Sequence, residues 1–392
     1  MNIMQAEPTH RLYTPGPVNI PVRVATAASY VNYHHRTPAF ATILTTTMQN
    51  LRPLFGAQEA QVMPVHATGR GAMEGAYANL LSENDRIICI CNGYFGKMSA
   101  DILTKLGYNI CRFQEDWTRD VSLDSLEETI NLMQATAIVA VHNDTGNAIV
   151  NPIGEIGALA RKYNLLFFVD AVSSIGCMPF EFDQWGVDVV TTSAQKGLMS
   201  PPGIAFMLCS ERAWERASDN AAHSHASYIN LISIRNSLRQ GETPGTTPVS
   251  LILAVSEAVQ MIHEEGLTTV YHRHHALGTA TRAALQALGF PPFPEVVRHR
   301  SEALNVVSLP GDLDGELLVD HLARKFGLLI SSGLGHFARS TLRIANMGDC
   351  SLSDMILLIS ALEATLNDLG RTVRMGTGTG EFMRVYNSMM PD

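Results

Sequence analysis

The 392-residue sequence has no long apolar run, no excess of positive charge and few cysteines, and each shortage excludes something. Its apolar stretches, such as Leu165–Val169, fall far short of the roughly 18 residues that span a bilayer. The opening MNIMQAEPTHRLYTPGP lacks the charged segment and apolar core of a signal peptide, so a cytoplasmic location is expected. With 28 basic against 37 acidic side chains the net charge is −9, which argues against nucleic acid as the main partner. Neutralising phosphates needs a basic face. The six cysteines (89, 91, 111, 177, 209 and 350) are scattered, most of them in apolar, strand-like segments, as reduced thiols are. There is no repeat, low-complexity stretch or charge block. Histidines cluster at His34-His35, His223-x-His225 and His272-x-His274-His275, but none has zinc-site spacing, and no metal is expected. The last group is read as the solvated face of a helix.

What is present is 46% apolar and 17% charged, the composition of a packed globular chain. The length suits one large α/β core with a smaller appended domain. From about residue 68 to 210, short apolar strands alternate with helical patterns: Ile87–Asn92, Ala137–His142, Leu165–Asp170, Asp188–Thr192 and Ile204–Cys209. Pro152 opens a helix with apolar residues at 153, 156, 159, 160 and 163. The runs IICIC and LLFFV are apolar throughout, as strands covered on both faces are. Helices are read over 249–265, 267–288, 314–326 and 353–369, with strands at LNVVSL, 327–331 and 341–345. The expected organisation is an arm at 1–20, a large domain at 21–265 and a smaller α+β domain at 266–392.

Three features can meet at one edge of such a sheet, where ligands bind beyond the carboxyl ends of parallel strands. Asp170 ends the apolar strand LLFFVD. Lys196 follows the strand VDVVTT and precedes a Pro-Pro-Gly turn. Thr68-Gly69-Arg70-Gly71 runs into a helix, whose free N–H groups and positive dipole end suit a phosphate. Taken singly, each also has a structural reading, as a hydrogen-bonded strand end, a surface lysine and a helix cap. Together they form the set that a pyridoxal-phosphate enzyme needs: a Schiff-base lysine, a carboxylate for the pyridinium nitrogen and a phosphate cup.

Four motifs in order carry a family resemblance: NGYFG (92–96), HNDTGNAIVNP (142–152), VDAVSS (169–174) and SAQKGLMSPPG (193–203). The sequence resembles the class V, fold-type-I pyridoxal-phosphate aminotransferases, the alanine–glyoxylate, serine–glyoxylate and pyridoxamine–pyruvate relatives, from TPGP (14–17) to LRIANMG (342–348). The resemblance implies a mainly parallel sheet flanked by helices and pyridoxal 5'-phosphate held on Lys196. It implies Asp170 on the ring nitrogen, Phe95 stacked on the ring and Thr145 at the phenolic oxygen. Thr68, Gly69, Arg70 and Gln195 would form the phosphate cup, with Thr246 reaching it from the partner subunit of a homodimer. Arg343 would grip the substrate's α-carboxylate, with Gly16 and Arg36 on the substrate side.

The implied activity is transfer of an amino group from an alanine- or serine-type donor to glyoxylate or pyruvate. Within the fold, the alternative is a pyridoxamine–pyruvate transaminase. Leu334, apolar where that subgroup favours a second arginine, speaks against it, and the tail GRTVRMGTGTGEF beyond the helix 353–369 speaks for it. Of another class, Ser193-Ala-Gln-Lys196 with Ser218-Asp219-Asn220 fits a serine hydrolase pattern, but no Lys-Thr-Gly follows. A cysteine desulfurase would need Cys350 as a mobile thiol. The late glycines of GTGTGEF are followed by too few residues for a dinucleotide-binding unit.

Overall fold

A computed structural model describes residues 10–30, 33–221, 226–295 and 297–390. Its centre is a seven-stranded sheet. The strands in chain order are β1 (Met63–Val65), β2 (Arg86–Ile90), β3 (Asn109–Phe113), β4 (Ala137–Val141), β5 (Leu166–Asp170), β6 (Val189–Ser193) and β7 (Ala205–Cys209). Their order across the sheet is β1-β7-β6-β5-β4-β2-β3. All neighbours among β2 to β6 are parallel, and only β7 and β1 run against their partners. The strands β4, β6 and β7 are buried at every residue, so β4 and β7 are apolar on both faces and the polar residues of β6, Thr191 to Ser193, fall at its carboxyl end. Helices Gly69–Leu80, Tyr94–Lys105, Ile153–Lys162 and Glu211–Asn220 pack against it. In Ile153–Lys162, Ile153, Ile156 and Ala160 are buried, with Glu155 in the first turn and Arg161 and Lys162 in the last, matching the helix dipole.

The chain visits β2, moves out to β3 and returns to β4 on the other side of β2. That reversal opens a crevice at the carboxyl ends of β2 and β4. Helices Val249–Glu265 and Leu267–Ala287 then lead to a three-stranded antiparallel sheet of Leu304–Ser308, Thr341–Ala345 and Ser331–Ser332. A second apolar core joins Leu277, Leu285, Leu318, Leu358 and Phe382 to Tyr13 of the N-terminal segment. Tyr13 donates its hydroxyl to the Asp354 carbonyl at 2.8 Å, and Arg11–Leu12 pairs in parallel with Leu328–Leu329. The start of the described chain is therefore stitched to its last third. No described helix is long and apolar enough to cross a membrane.

Three readings of the sequence need correction. The helix 353–369 is not the last: Thr377–Met389, in the tail beyond it, is a helix packed on Leu267–Ala287. Its glycines hid it, because glycine is a poor helix former. One of them, Gly378, allows close approach, since a Cβ there would lie 2.9 Å from Leu288 Cδ1. Buried Glu363 accepts from the N–H groups of Gly376, Gly378 and Thr379 at 2.8, 2.5 and 3.1 Å, capping the helix. His274 is not on a solvated face: it sits in the buried stripe with Val270 and Leu277, while His272 and His275 are exposed. Its Nδ1 bonds the Val270 carbonyl at 2.8 Å and Nε2 accepts from Gly348 N–H at 3.2 Å. Burial pushes it down to about 3, so it is neutral. The expected strand 327–331 is broken at Ile330 into Leu328–Leu329 and Ser331–Ser332, which pair with different partners. The pair His223-x-His225 lies outside the described residues.

Candidate active site

Asp170 is the last residue of β5, level with Val141 of β4 and Thr191 of β6, so the three strands end at one edge. Its carboxylate is buried and accepts from Val172 N–H at 2.9 Å. Burial pushes its proton affinity up to about 6, against the Val172 hydrogen bond; Asp144 adds to the rise and Lys196 opposes it.

Lys196 lies in the turn after β6. A Cβ at Gly197 would lie 2.3 Å from the Ile175 carbonyl, so this turn packs directly on the loop that follows Asp170. Burial lowers Lys196 to about 8, with the Arg343 charge adding to it and Asp170 opposing. Its ammonium donates to the Pro15 carbonyl. Among the described residues it makes no ion pair.

The turn before the helix Gly69–Leu80 rests on the same loop. A Cβ at Gly69 would meet Val172 Cγ2 at 2.4 Å and Ser193 Cβ at 3.5 Å. Thr68 caps the helix, its hydroxyl accepting from Gly71 N–H at 3.4 Å. The first amides of the helix have no intrahelical partner, as at any helix start. Arg70 is exposed and makes no ion pair among the described residues.

From the other side of the crevice come Phe95 and Thr145. Phe95 is half-buried in the first turn of the helix Tyr94–Lys105, and Thr145 is buried. Asp144 joins their two turns: Oδ2 accepts from Phe95 N–H at 2.8 Å and Gly96 N–H at 3.2 Å, and Oδ1 from Gly146 N–H at 2.8 Å.

Arg343 is partly buried in Thr341–Ala345, its Nε donating to the Ser332 carbonyl at 2.8 Å. Burial lowers it to about 10, with Asp144 and Tyr94 working the other way. It has no ion pair among the described residues, and its charge reaches Lys196. An unpaired guanidinium at such a place can receive a carboxylate in two-pronged fashion.

Several buried polar atoms lack a protein partner: Thr145 Oγ1, Ser193 Oγ, Gln195 Oε1, His142 Nδ1 and His66 Nε2. All five belong to residues in or just beyond the strand ends β1, β4 and β6. Buried polar groups are normally paired. Thr145, Ser193 and Gln195 stand beyond the same strand ends as Asp170 and Lys196 and suit a polar ligand, whereas the His142 ring lies against Phe180 and Trp185 and His66 lines the cavity beside Thr246. Donors and acceptors of these kinds, with a buried carboxylate, an unpaired lysine and a helix start, fit pyridoxal phosphate.

The structure thus brings Lys196, Asp170, Gly16, Thr68, Gly69 and Gln195 together through one set of packed loops, with Thr145 and Phe95 on the turns beyond β4 and β2 and the Arg343 charge within reach of Lys196. It does not bring in Arg36, which is ion-paired to Glu242. Thr246 lines a cavity of about 250 Å³ with His66, Tyr228 and Thr243, beyond the end of β1. Asp144, His142 and Ser193 were missed in the sequence. Asp144 and His142 stood beside Thr145 in a quoted motif, but nothing local shows what an acid or imidazole there touches. Asp219 of the hydrolase pattern lines a cavity with Asp85 and Leu166, at the opposite end of the strands from Lys196. Cys350 is buried against Met355, and burial pushes its thiol up to about 12, so it is no reactive loop thiol.

Residues 23–351 match the family model for class-V aminotransferases, and the chain belongs to that family. It is a pyridoxal-phosphate-dependent transaminase with a mixed α/β, fold-type-I architecture. It is 30% identical to L-aspartate–glyoxylate aminotransferase of Paracoccus denitrificans, over 96% of each chain. To serine–glyoxylate aminotransferase of Methylorubrum extorquens it is 29% identical, over 94% of each. The crystal structure of pyridoxamine–pyruvate aminotransferase from Mesorhizobium loti superposes with a TM-score of 0.92 at 25% identity, over 98% of both chains.

Proposed function

We propose that the chain moves the amino group of a small amino acid of the alanine or serine type to glyoxylate or pyruvate, with Lys196 as the cofactor-bearing residue and proton carrier. The observation that carries this reading is the unpaired Arg343 guanidinium within electrostatic reach of Lys196, which itself neighbours the buried Asp170. Relatives named for glyoxylate as acceptor support the substrate class.

When bound, pyridoxal phosphate supplies an aldehyde carbon for the amino group and a ring that draws electrons from the substrate's Cα. The residues supply the rest. Asp170 holds a proton at the ring nitrogen. Lys196 Nζ would be released when the substrate's amine takes its place on the aldehyde carbon; burial makes it a base near neutral pH, so it would then carry the proton away from Cα. Thr145, whose buried hydroxyl has no protein partner, would hold the phenolic oxygen, and Phe95 would cover the ring. The amides at Thr68, Gly69 and Arg70, with Gln195, receive the phosphate, and Thr246 reaches it from the partner subunit. Arg343 would align the substrate carboxylate and Gly16 leaves room above the lysine, while Arg36, ion-paired to Glu242, would join the substrate side only on leaving that partner. This reading takes the protein as a cytoplasmic homodimer divided into an arm (1–20), a cofactor-binding domain (21–265) and a small domain (266–392). The exposed Thr246, Tyr228 and Val22 are compatible with a second subunit.

A panel of amino donors assayed against glyoxylate and pyruvate tests the proposal. Turnover should be highest with small donors, and no transamination of any pair would overturn it. The likeness to the Mesorhizobium enzyme supports a second reading, with pyridoxamine as donor and pyruvate as acceptor. Pyridoxamine-dependent alanine formation by protein free of cofactor would establish it.

A further inference from the structure

The carboxylate of Asp144 is buried where the chain leaves β4, and it bonds to backbone on two separate segments. Oδ2 takes the N–H groups of Phe95 and Gly96 at the start of the helix Tyr94–Lys105, and Oδ1 takes that of Gly146 in its own turn. An anion at a helix start is favoured by the helix dipole as well as by the free amides. Two glycines let the segments close on it. A Cβ at Gly93 would lie 2.3 Å from Asp144 Oδ2, and one at Gly146 would lie 2.7 Å from Tyr94 Cβ. The same two turns carry Phe95 and Thr145, while neither side chain is itself held by a hydrogen bond among the described residues.

We propose that Asp144 is a positioning residue for the reaction: its single carboxylate ties the turn carrying the Phe95 ring to the turn carrying the Thr145 hydroxyl, so that both meet the cofactor as one rigid unit. The inference rests on the functional reading above. It adds that the two contacts, though far apart in sequence, are set by a third residue that touches neither substrate nor cofactor. The chemistry demands a carboxylate. Asparagine has the same shape but one carbonyl acceptor and one amino donor. Whichever way it faces, an NH₂ group meets an N–H group, and one of the two turns is released.

Asp144→Asn in the full chain tests this with two readouts. In apo-protein, hydrogen exchange at the amides of either Phe95 and Gly96 or Gly146 should quicken by at least about tenfold. Titration of that apo-protein with pyridoxal phosphate should show affinity weakened by roughly tenfold or more. Asp188→Asn is the control for a merely structural effect. That buried carboxylate accepts from Phe167 N–H at 2.8 Å and binds Arg212 beyond the start of β6. It should lower the melting temperature without changing cofactor affinity. Should Asp144→Asn not fold, Gly146→Ala pushes the two turns apart from the other side and should give the same signature. Faster exchange with wild-type cofactor affinity, or unchanged exchange, overturns the proposal. Failure of wild-type apo-protein to take up pyridoxal phosphate would instead overturn the functional reading and remove the site that Asp144 serves. The exchange measurement needs no cofactor, which keeps the two failures apart.

Discussion

Gly16 lies so close to Lys196 that a methyl group on it would fall 2.5 Å from the lysine Cδ and 2.7 Å from Nζ. The N-terminal segment therefore forms the roof of the lysine's chamber, and Gly16 is bare because no side chain fits. Its φ of +110° lies where L-residues are strained, which reinforces the choice. Gly16→Ala should displace Lys196, cutting cofactor uptake and turnover by about tenfold or more, while costing on the order of 1–2 kcal/mol of stability. Comparison of initial rates and melting curves checks this. Wild-type turnover in the variant would remove the roof from the account.

Asp170 is held for its chemistry at a cost in stability. A carboxyl whose folded-state proton affinity is raised stabilises the fold below its unfolded value, and that contribution is lost as pH rises through the folded value. Here the window runs from 3.8 to about 6. Above it, the ionised Asp170 burdens apo-protein by on the order of 3 kcal/mol. Asp170→Asn keeps an acceptor for Val172 N–H, so its apo form should melt higher than wild type at pH 7 to 8. The two forms should converge toward pH 4, and the variant should bind cofactor poorly. Equal melting at every pH would show that the carboxylate is not buried as described.

Lys196 must be neutral to attack an aldehyde. With burial lowering it to about 8, the rate of cofactor capture by apo-protein should rise with pH and level off above that value. Stopped-flow absorbance across pH 6 to about 11.5 measures the midpoint. A midpoint near the ordinary lysine value of 10.5 would contradict the enclosure seen here.

Arg343→Lys keeps the charge and loses the two-pronged geometry. The Michaelis constants for both the amino and the oxo acid should rise by the equivalent of about 1.5–3 kcal/mol, with cofactor affinity unchanged. If pyridoxamine is the donor, only the oxo acid should suffer. Steady-state kinetics with each substrate varied in turn separates these outcomes.

Much of the fold was legible because burial and sequence pattern agree: IICIC, AIVAV and LFFVD are apolar on both faces and lie inside the parallel sheet. The site was legible where chemistry is carried by residues next to strand ends, as Asp170 and Lys196 are. What stayed hidden depends on long-range contact. No helix was read over Thr377–Met389, because its glycines are poor helix formers and the packing of Gly378 on Leu288 depends on a residue far off in the chain. His274 read as surface because the two backbone groups that satisfy its buried ring include one at Gly348, far along the chain. Asp144 shows the same limit, since its amide partners at Phe95 and Gly96 belong to another turn.

The central claim is that Lys196 carries the cofactor. The chain has five lysines, and Lys97, Lys105, Lys162 and Lys325 are exposed, so only Lys196 sits in an enclosed chamber. Borohydride reduction of protein saturated with pyridoxal phosphate, followed by digestion and mass spectrometry, should place the label on the peptide containing Lys196 in about one copy per chain. The same treatment of Lys196→Ala should leave no specific label, and transamination should fall by at least the 10²–10⁴ typical of a lost general base. Label on an exposed lysine, or turnover above a tenth of wild type in Lys196→Ala, would contradict the account.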